Sequence, residues 1–183
     1  PMLPEELSTD KTSLNQGEDR LAVVADMTIK ANGDVPESNF FRAIIHNHAK
    51  FSYEEIGGWL DEKGEMPQDM RDSAELKSQI ELQHEAAKRL AAYREKKGAL
   101  EFESIESSAV VEDGEIKALI SVRTNSAKKL IENFMVAANV EMAEFLEAHG
   151  WASLRRVVKE PQRWDGIRRI ASEFGAVLPE SPN

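Results

Sequence analysis

The sequence lacks cysteine altogether across its 183 residues. This absence excludes disulfide bonds and thiolate metal sites, and it indicates a cytoplasmic protein. The sequence also lacks any run of about 18 apolar residues, so we expect no membrane-spanning helix. Its first residues have neither the basic start nor the apolar block of a secretory signal, and we expect no such signal.

Sequence motifs of several enzyme classes are missing too. The chain has no glycine-rich phosphate loop, no nucleophile elbow and no HExxH metal motif. Among its four histidines, His46 and His48 stand two residues apart and would share one face of a strand. A metal pair is conceivable there, but no third ligand is evident, so a structural or surface role is favoured.

Positive charge is scarce relative to negative charge. The chain carries 23 Lys and Arg against 33 Asp and Glu, a formal net charge of −10. Proteins that hold nucleic acid non-specifically do so by neutralising phosphates with Lys and Arg. Nucleic-acid binding is therefore expected only in a local groove, or with positive charge supplied from outside these residues.

The periodicity of apolar residues predicts two β regions after an irregular segment over residues 1–20. The predicted strands cover residues 21–29, 39–45, 100–103 and two segments on either side of Asp113-Gly114. Asn32-Gly33 lies between the first two strands and is a strong signal for a hairpin turn. On the first strand, alternate apolar residues from Leu21 to Ile29 would share one face.

The predicted helices cover residues 52–60, residues 68–97, a third stretch that Asn125 or Ser126 can cap and that His149-Gly150 ends, and residues 161–174. Ser52 and Glu55 form a plausible capping box at the start of the first helix. The third helix carries an apolar stripe of Ile131, Phe134, Met135, Ala138, Met142, Phe145 and Leu146. Helices mixed with hairpins predict an α+β fold, in which antiparallel strands pack against several helices in one domain over residues 1–183.

Three aromatic residues and one acid are candidates for ligand contact. Tyr53, Tyr93 and Phe102 could each stack on an unpaired base, although a core or edge position is favoured by the sequence alone. Glu132 is expected near a helix start, beside the apolar stripe. It is either an acid that favours the helix dipole or a carboxylate that accepts a hydrogen bond from a ribose hydroxyl.

Five blocks of sequence occur in an order that resembles a known family. They are PMLPEELS with TSLNQGEDRLAVVADMTI, AIIHNHAKFSYEEIGGWL, GALEF, KKLIENFMVAANVEMAEFL and LRRVVKEP. In order, they are similar to the MLP–LS and CSL–G–DR–A segments, to an Ala-Lys/Arg-Leu-x-Tyr stretch that opens a helix, and to the ALxF, IExFMxxAN and LYRxHxxP segments of the ribonuclease II and ribonuclease R (RNB) exoribonucleases. The resemblance covers nearly the whole chain and implies the central segment of an RNB catalytic domain.

The resemblance implies part of a hydrolytic, Mg²⁺-dependent 3′→5′ exoribonuclease that degrades single-stranded RNA to nucleoside 5′-monophosphates. It also implies roles for three residues. Tyr53 matches a tyrosine that contacts RNA near its 3′ end, Phe102 an aromatic that stacks on the last bases, and Glu132 an acid that contacts the terminal sugars. Asn133 stands where the family commonly has a second acid, and Thr12 where it has cysteine.

The family's metal-binding aspartates lie upstream of the MLP segment, and its arginine motif lies downstream of the LYRxHxxP turn. We therefore expect no catalytic residue and no metal ligand in this chain. Mg²⁺ would be bound by residues outside it, the segment alone would be inactive, and its partners would be single-stranded RNA and the remaining parts of the same polypeptide.

Two other interpretations stay open at this point. A relative that kept the fold but lost its active site would be an RNA-binding or protein-interaction module. A purely structural acidic domain would never contact nucleic acid.

Overall fold

The computed structural model describes residues 3–99, 106–112, 114–122, 124–155 and 161–181. Its elements, in chain order, are a π-helix Glu6–Lys11, β1 (Asp19–Thr28), β2 (Glu37–His46), α1 (Tyr53–Leu60), α2 (Gln68–Arg71), α3 (Ala74–Lys96), β3 (Glu106–Glu112), β4 (Glu115–Val122), α4 (Ser126–Ala148) and α5 (Trp164–Glu173). They form two antiparallel two-stranded sheets and several helices, which confirms the α+β class. The chain divides into two compact units, Pro1–Phe145 and Leu146–Asn183.

The first predicted hairpin is confirmed. β1 and β2 pair antiparallel from Asp19↔His46 to Thr28↔Glu37. Gly33 has a φ of 86°, and a Cβ added to it would overlap the carbonyl oxygen of Arg89 on α3. The turn therefore requires glycine for two reasons, its positive φ and its close approach to a helix.

The hairpin is only partly covered by the residues that the structure describes. Phe40 packs on Phe145 of α4, with ring centroids 5.2 Å apart. Leu21, Val23 and Ile44, on the same face of the hairpin, are instead largely exposed, Leu21 by 83%. The predicted apolar face of β1 thus exists, but its first residues do not enter the core.

The N-terminal segment corrects the expectation of irregular chain. It contains the π-helix Glu6–Lys11, in which side-chain hydroxyls donate to backbone carbonyls four or five residues earlier. Such bonds offer the backbone an alternative to regular α-helical pairing. Arg20 Nε, at the start of β1, donates to the carbonyl oxygens of Asp10 and Ser13 at 3.2 and 3.1 Å, which ties the segment to the hairpin.

The single helix predicted over residues 68–97 is wrong in one respect, because it is two helices, α2 and α3. Ser73 accepts a hydrogen bond of 3.3 Å from the backbone N–H of Leu76 and so starts α3 with a new cap. A serine that bonds to the backbone in this way competes with continuation of the preceding helix. The predicted end is confirmed, since α3 stops at Lys96 and Gly98 adopts a φ of 92°.

The described core is small and lies where α1, α2 and α4 meet. Ile56, Met70 and Ala127 are its buried members. The partly buried residues packed around them are Phe51, Trp59, Leu60, Met66, Leu76 and Ile80.

The buried face of α4 differs from the predicted stripe. Its buried residues are Ala127, Leu130, Asn133 and Ala137, whereas Ile131 and Met135 are 48% and 55% exposed. The buried face is therefore rotated toward small residues. The two buried alanines let the helix approach its neighbours closely. The predicted stripe was chosen from the bulky apolar residues and therefore pointed to a different face.

The second unit contains the end of α4 and α5. α5 begins at Trp164, three residues later than the predicted start at Pro161, and ends before Gly175, whose φ is 78°. Trp164 Nε1 donates a hydrogen bond of 3.0 Å to the carbonyl oxygen of Pro179. The apolar residues Ile167 and Ile170 of this helix, and Phe174 at its C-cap, are exposed.

The predicted strand over residues 100–103, including Phe102, lies outside the described residues. None of the helices in the described ranges combines the length and apolar character needed to cross a membrane.

Candidate nucleic-acid interface

Tyr53 is the first residue of α1, as predicted, because Ser52 caps that helix. Ser52 Oγ accepts from the backbone N–H of Glu55 at 3.2 Å, and the Glu55 carboxylate accepts from the backbone N–H of Ser52 at 3.3 Å. This reciprocal capping box fixes the direction in which the chain enters α1. Tyr53 is 45% exposed, and within the described residues its hydroxyl has no hydrogen-bond partner.

Tyr53 lines a groove of about 240 Å³ between α1, α3 and α4. The lining residues are Phe51, Ser52, Tyr53, Ile56, Ile80, Gln83, Ala127, Leu130 and Ile131. Most of this surface is apolar. The side-chain amide of Gln83 has no hydrogen-bond partner among the residues that the structure describes, so it and the Tyr53 hydroxyl are polar groups available to a ligand.

Glu132 is exposed and lies one residue beyond Ile131, which lines the groove. Glu132 itself is not a lining residue. Because α4 begins at Ser126, Glu132 is in the second turn, which corrects the expectation that it stands near a helix start. The helix dipole acts mainly within the first turn, so it contributes little at this carboxylate.

Of the other two aromatic candidates, only Tyr93 is among the described residues, and it does not line the groove. Tyr93 is half-buried on α3, where the Lys97 ammonium lies 5.4 Å from its ring centroid and the Gly33 turn packs against its Cβ. This position gives Tyr93 a structural role. Phe102 lies outside the described residues, so its predicted role stays a prediction.

Two side chains at the start of α4 tie that helix to α1. Asn125 Nδ2 donates a hydrogen bond of 2.7 Å to the carbonyl oxygen of Tyr53, and Ser126 Oγ donates to the carboxylate of Asp61, the C-cap of α1. The sequence suggested Asn125 only as a helix cap. One signal was present, since glycine inside a helical pattern, here Gly57, often marks close packing.

His84, which follows the groove residue Gln83 on α3, has a pKa shifted by its surroundings. Burial lowers the pKa of His84 from its ordinary value, and the neighbouring Lys88 ammonium lowers it further. Asp61 and Glu85 act in the opposite direction, with smaller effect. The lowered pKa favours a neutral His84 imidazole at pH 7.

Asn133 takes a structural position. It is buried, with 8% of its surface exposed, and its Oδ1 accepts a hydrogen bond of 2.9 Å from Arg94 of α3. Its Nδ2 donates to the carbonyl oxygen of Lys129 at 2.8 Å. Asn133 therefore connects α3 and α4, whereas its neighbour Glu132 is exposed.

The two histidines considered as a metal pair lie close together at the end of β2. The rings of His46 and His48 are 5.1 Å apart, and His46 Nδ1 lies 2.7 Å from Oδ1 of Asp19. Across the described ranges, no group of three or more His, Asp or Glu residues is arranged to hold a metal ion.

Comparison with known proteins identifies the family. The RNB domain model matches residues 1–173. The chain is 33% identical over 183 residues to Ribonuclease R of Escherichia coli (strain K12), which covers 98% of this chain and 22% of that protein. It is 36% identical over 149 residues to Exoribonuclease 2 of Cronobacter sakazakii, covering 80% of this chain and 22% of that protein.

Solved structures agree with this assignment. RNase R of Mycoplasma genitalium, in complex with ribose methylated single-stranded RNA, superposes with a TM-score of 0.81 at 25% identity, covering 100% of this chain and 28% of that one. The Dss1 exoribonuclease of Candida glabrata shares the fold, with a TM-score of 0.73 at 15% identity. The chain spans about 22% of the length of the relatives it matches. The suspected resemblance is confirmed: this chain belongs to the RNB domain family.

Proposed function

We propose that this chain is the central part of the catalytic domain of a hydrolytic 3′→5′ exoribonuclease that degrades single-stranded RNA to nucleoside 5′-monophosphates. The chain forms one wall of the RNA channel. The observation that carries the proposal is the RNB match over residues 1–173. The names of the relatives, Ribonuclease R and Exoribonuclease 2, and the single-stranded RNA in the Mycoplasma genitalium structure support the same substrate class.

Three residues of this wall contact RNA in the proposal. Tyr53 offers a half-exposed phenol in the groove, where its hydroxyl can bond to a ribose and its ring can pack against sugar or base. Glu132 offers an exposed carboxylate that can accept a hydrogen bond from a 2′-hydroxyl. Phe102 stacks on the 3′-terminal bases, a role that rests on the resemblance of the GALEF block alone.

The charge of the chain suits a groove that holds sugars and bases rather than phosphates. At a net charge of −10, an open surface would repel RNA. The groove beside Tyr53 is mostly apolar, with few polar groups, and bases are recognised by such surfaces in single-stranded RNA. Phosphate neutralisation then falls to cations outside this groove.

Mg²⁺ is the proposed cofactor, and the residues that hold it lie outside this chain. Metal-assisted hydrolysis of a phosphodiester requires carboxylates that fix the ion and place water in line. The described residues provide no group of three or more suitable ligands, so this part of the chain does not fit a magnesium site. The proposed setting is the cytoplasm, where the chain works together with the remaining parts of its polypeptide.

Labelled substrates test the activity and its direction. The full-length protein, incubated with Mg²⁺ and single-stranded oligoadenylate, should release a 3′-terminal label at once as mononucleotide. When the same strand carries its label at the 5′ end, the labelled strand should become progressively shorter. EDTA should stop both reactions. The 183-residue chain alone should release no mononucleotide above background.

Each contrary result points to a specific alternative. Binding of RNA without cleavage by the full-length protein would indicate the inactive RNB-like module. Absence of both would indicate an acidic structural domain. Steady release by the isolated chain would contradict the placement of the metal ligands outside it.

A further inference from the structure

We propose that Asn125, seated on Gly57, is a positioning residue that holds Tyr53 against the start of α4 and thereby sets how well the groove distinguishes RNA from DNA. Asn125 does not line the groove and acts through Tyr53. The inference rests on the proposed function, since it assigns a residue to the same RNA-facing wall.

The side chain of Asn125 makes two different hydrogen bonds. Its Oδ1 accepts from the backbone N–H of Lys128 at 2.9 Å and caps α4. Its Nδ2 donates at 2.7 Å to the carbonyl oxygen of Tyr53, the first residue of α1. A single planar amide therefore joins the first turns of two helices, and its two polar atoms have separate tasks.

Gly57 supplies the surface on which this amide rests. It is buried one turn after Tyr53, and a Cβ added to it would overlap the carboxamide of Asn125. Gly57 is inside a helix, where glycine is destabilising by about 0.5–1 kcal/mol relative to alanine. The close approach of Asn125 gives a structural reason for glycine at this position.

A second tie holds the opposite end of α1. Ser126 Oγ donates to the carboxylate of Asp61, the C-cap of α1. Asn125 and Ser126, adjacent residues at the start of α4, thus hold both ends of an eight-residue helix. The Asn125 bond controls the end that bears Tyr53, and the Ser126 bond controls the end away from it.

This arrangement determines the geometry of the groove. Tyr53 and Ile56 of α1 face Ala127, Leu130 and Ile131 of α4 across it. If the Asn125 bond is lost, the first turn of α1 is free to shift, and the Tyr53 hydroxyl no longer meets the ribose at a fixed distance. Selection by a hydrogen bond is sensitive to such a shift, because these bonds weaken steeply with poor geometry.

Asn125→Asp separates the two tasks of the residue. Aspartate caps helices as well as asparagine does, so the bond from Lys128 N–H is retained. The second carboxylate oxygen replaces Nδ2, and it repels the Tyr53 carbonyl instead of donating to it. We expect the preference of the full-length protein for an oligoadenylate over its deoxy counterpart, measured as a ratio of dissociation constants, to fall about two- to tenfold, the effect of one lost hydrogen bond.

The ratio of two affinities is independent of the fraction of folded protein, so a variant that only folds less completely leaves it unchanged. Ser126→Ala, the matched control at the other end of α1, should keep the parental ratio. Gly57→Ala should lower the ratio in the same direction as Asn125→Asp, because it displaces the Asn125 amide without altering its chemistry. In a Tyr53→Ala background, Asn125→Asp should cause no further change.

The outcomes are distinguishable. The positioning role would be overturned if Asn125→Asp left the affinity ratio unchanged, or if it lowered the ratio equally in the parent and in the Tyr53→Ala background. In either case the proposed function would stand as long as the parent binds and cleaves RNA. A parent protein that neither binds nor cleaves RNA would overturn the proposed function, and this inference with it.

Discussion

Arg94, near the end of α3, donates a hydrogen bond of 2.9 Å to Oδ1 of the buried Asn133 on α4. In the part of the chain that the structure describes, this guanidinium has no carboxylate partner. A charged donor thus meets a neutral acceptor at a helix contact. The neutral amide also bonds its own helix, through Nδ2 and the carbonyl oxygen of Lys129.

Replacement of Asn133 by alanine should lower the free energy of unfolding by about 1–3 kcal/mol, because Arg94 loses its acceptor at a buried position. Urea unfolding followed by circular dichroism measures this change. Arg94→Met should cost less stability in the Asn133→Ala background than in the parent. Equal costs in the two backgrounds would mean that the hydrogen bond contributes nothing.

Tyr53→Ala combined with Glu132→Ala should allow the full-length protein to cleave a DNA strand that the parent binds but leaves uncut. A site that bonds to the 2′-hydroxyl leaves its own polar groups without partners when DNA enters. Such a loss costs about 1–3 kcal/mol, or roughly a five- to 150-fold preference for RNA. RNA cleavage should persist, as neither residue is proposed to hold a metal. A double variant that still rejects DNA, with RNA turnover unchanged, would show both residues to be structural.

Gly33→Ala should destabilise the first unit more than Gly17→Ala does. Both glycines have positive φ angles, 86° and 75°, and alanine is strained in this region by roughly 1–2 kcal/mol. A Cβ at Gly33 would also overlap the Arg89 carbonyl, whereas at Gly17 nothing lies within 4 Å. Thermal unfolding compares the two variants. Equal losses of stability would contradict the contact between the hairpin turn and α3.

The lowered pKa of His84 predicts a pH dependence of stability. Since burial and Lys88 disfavour the charged imidazole, the unfolded chain binds a proton more readily than the folded one. The contribution of His84 is therefore fully present above the unfolded pKa of about 6.5 and is lost as pH falls through the lower folded pKa. His84→Gln should flatten the loss of stability between neutral and mildly acidic pH, and His48→Gln serves as an exposed control. A slope unchanged by His84→Gln would contradict the shift.

Local chemistry made several elements predictable from the sequence. Asn32-Gly33 located the hairpin because few residues adopt a positive φ, and Ser52 with Glu55 located the start of α1 because both side chains satisfy backbone N–H groups. The break before α3 was missed for the opposite reason. Ser73 is compatible with a helix interior as well as with a cap, and only the structure shows which it adopts.

The candidate site was less predictable, because it depends on contacts between distant elements. The start of α1 placed Tyr53 correctly, but the groove also needs Gln83 from α3 and Ile131 from α4, which periodicity does not bring together. The predicted stripe on α4 placed Ile131 in the core, whereas it is half-exposed at the groove. The family resemblance, rather than the residue pattern, selected Tyr53, Phe102 and Glu132 as RNA contacts.

The two hydrogen bonds that join α1 to the start of α4 have a consequence for the order in which the groove forms during synthesis. They join residues separated by 72 and 65 positions along the chain. Closing loops of this length is entropically costly before the contacts are made, so such pairings form late in folding. α1 is complete long before α4 leaves the ribosome, and its Tyr53 end stays untethered until Asn125 arrives. The groove therefore acquires its shape only once both helices have been translated.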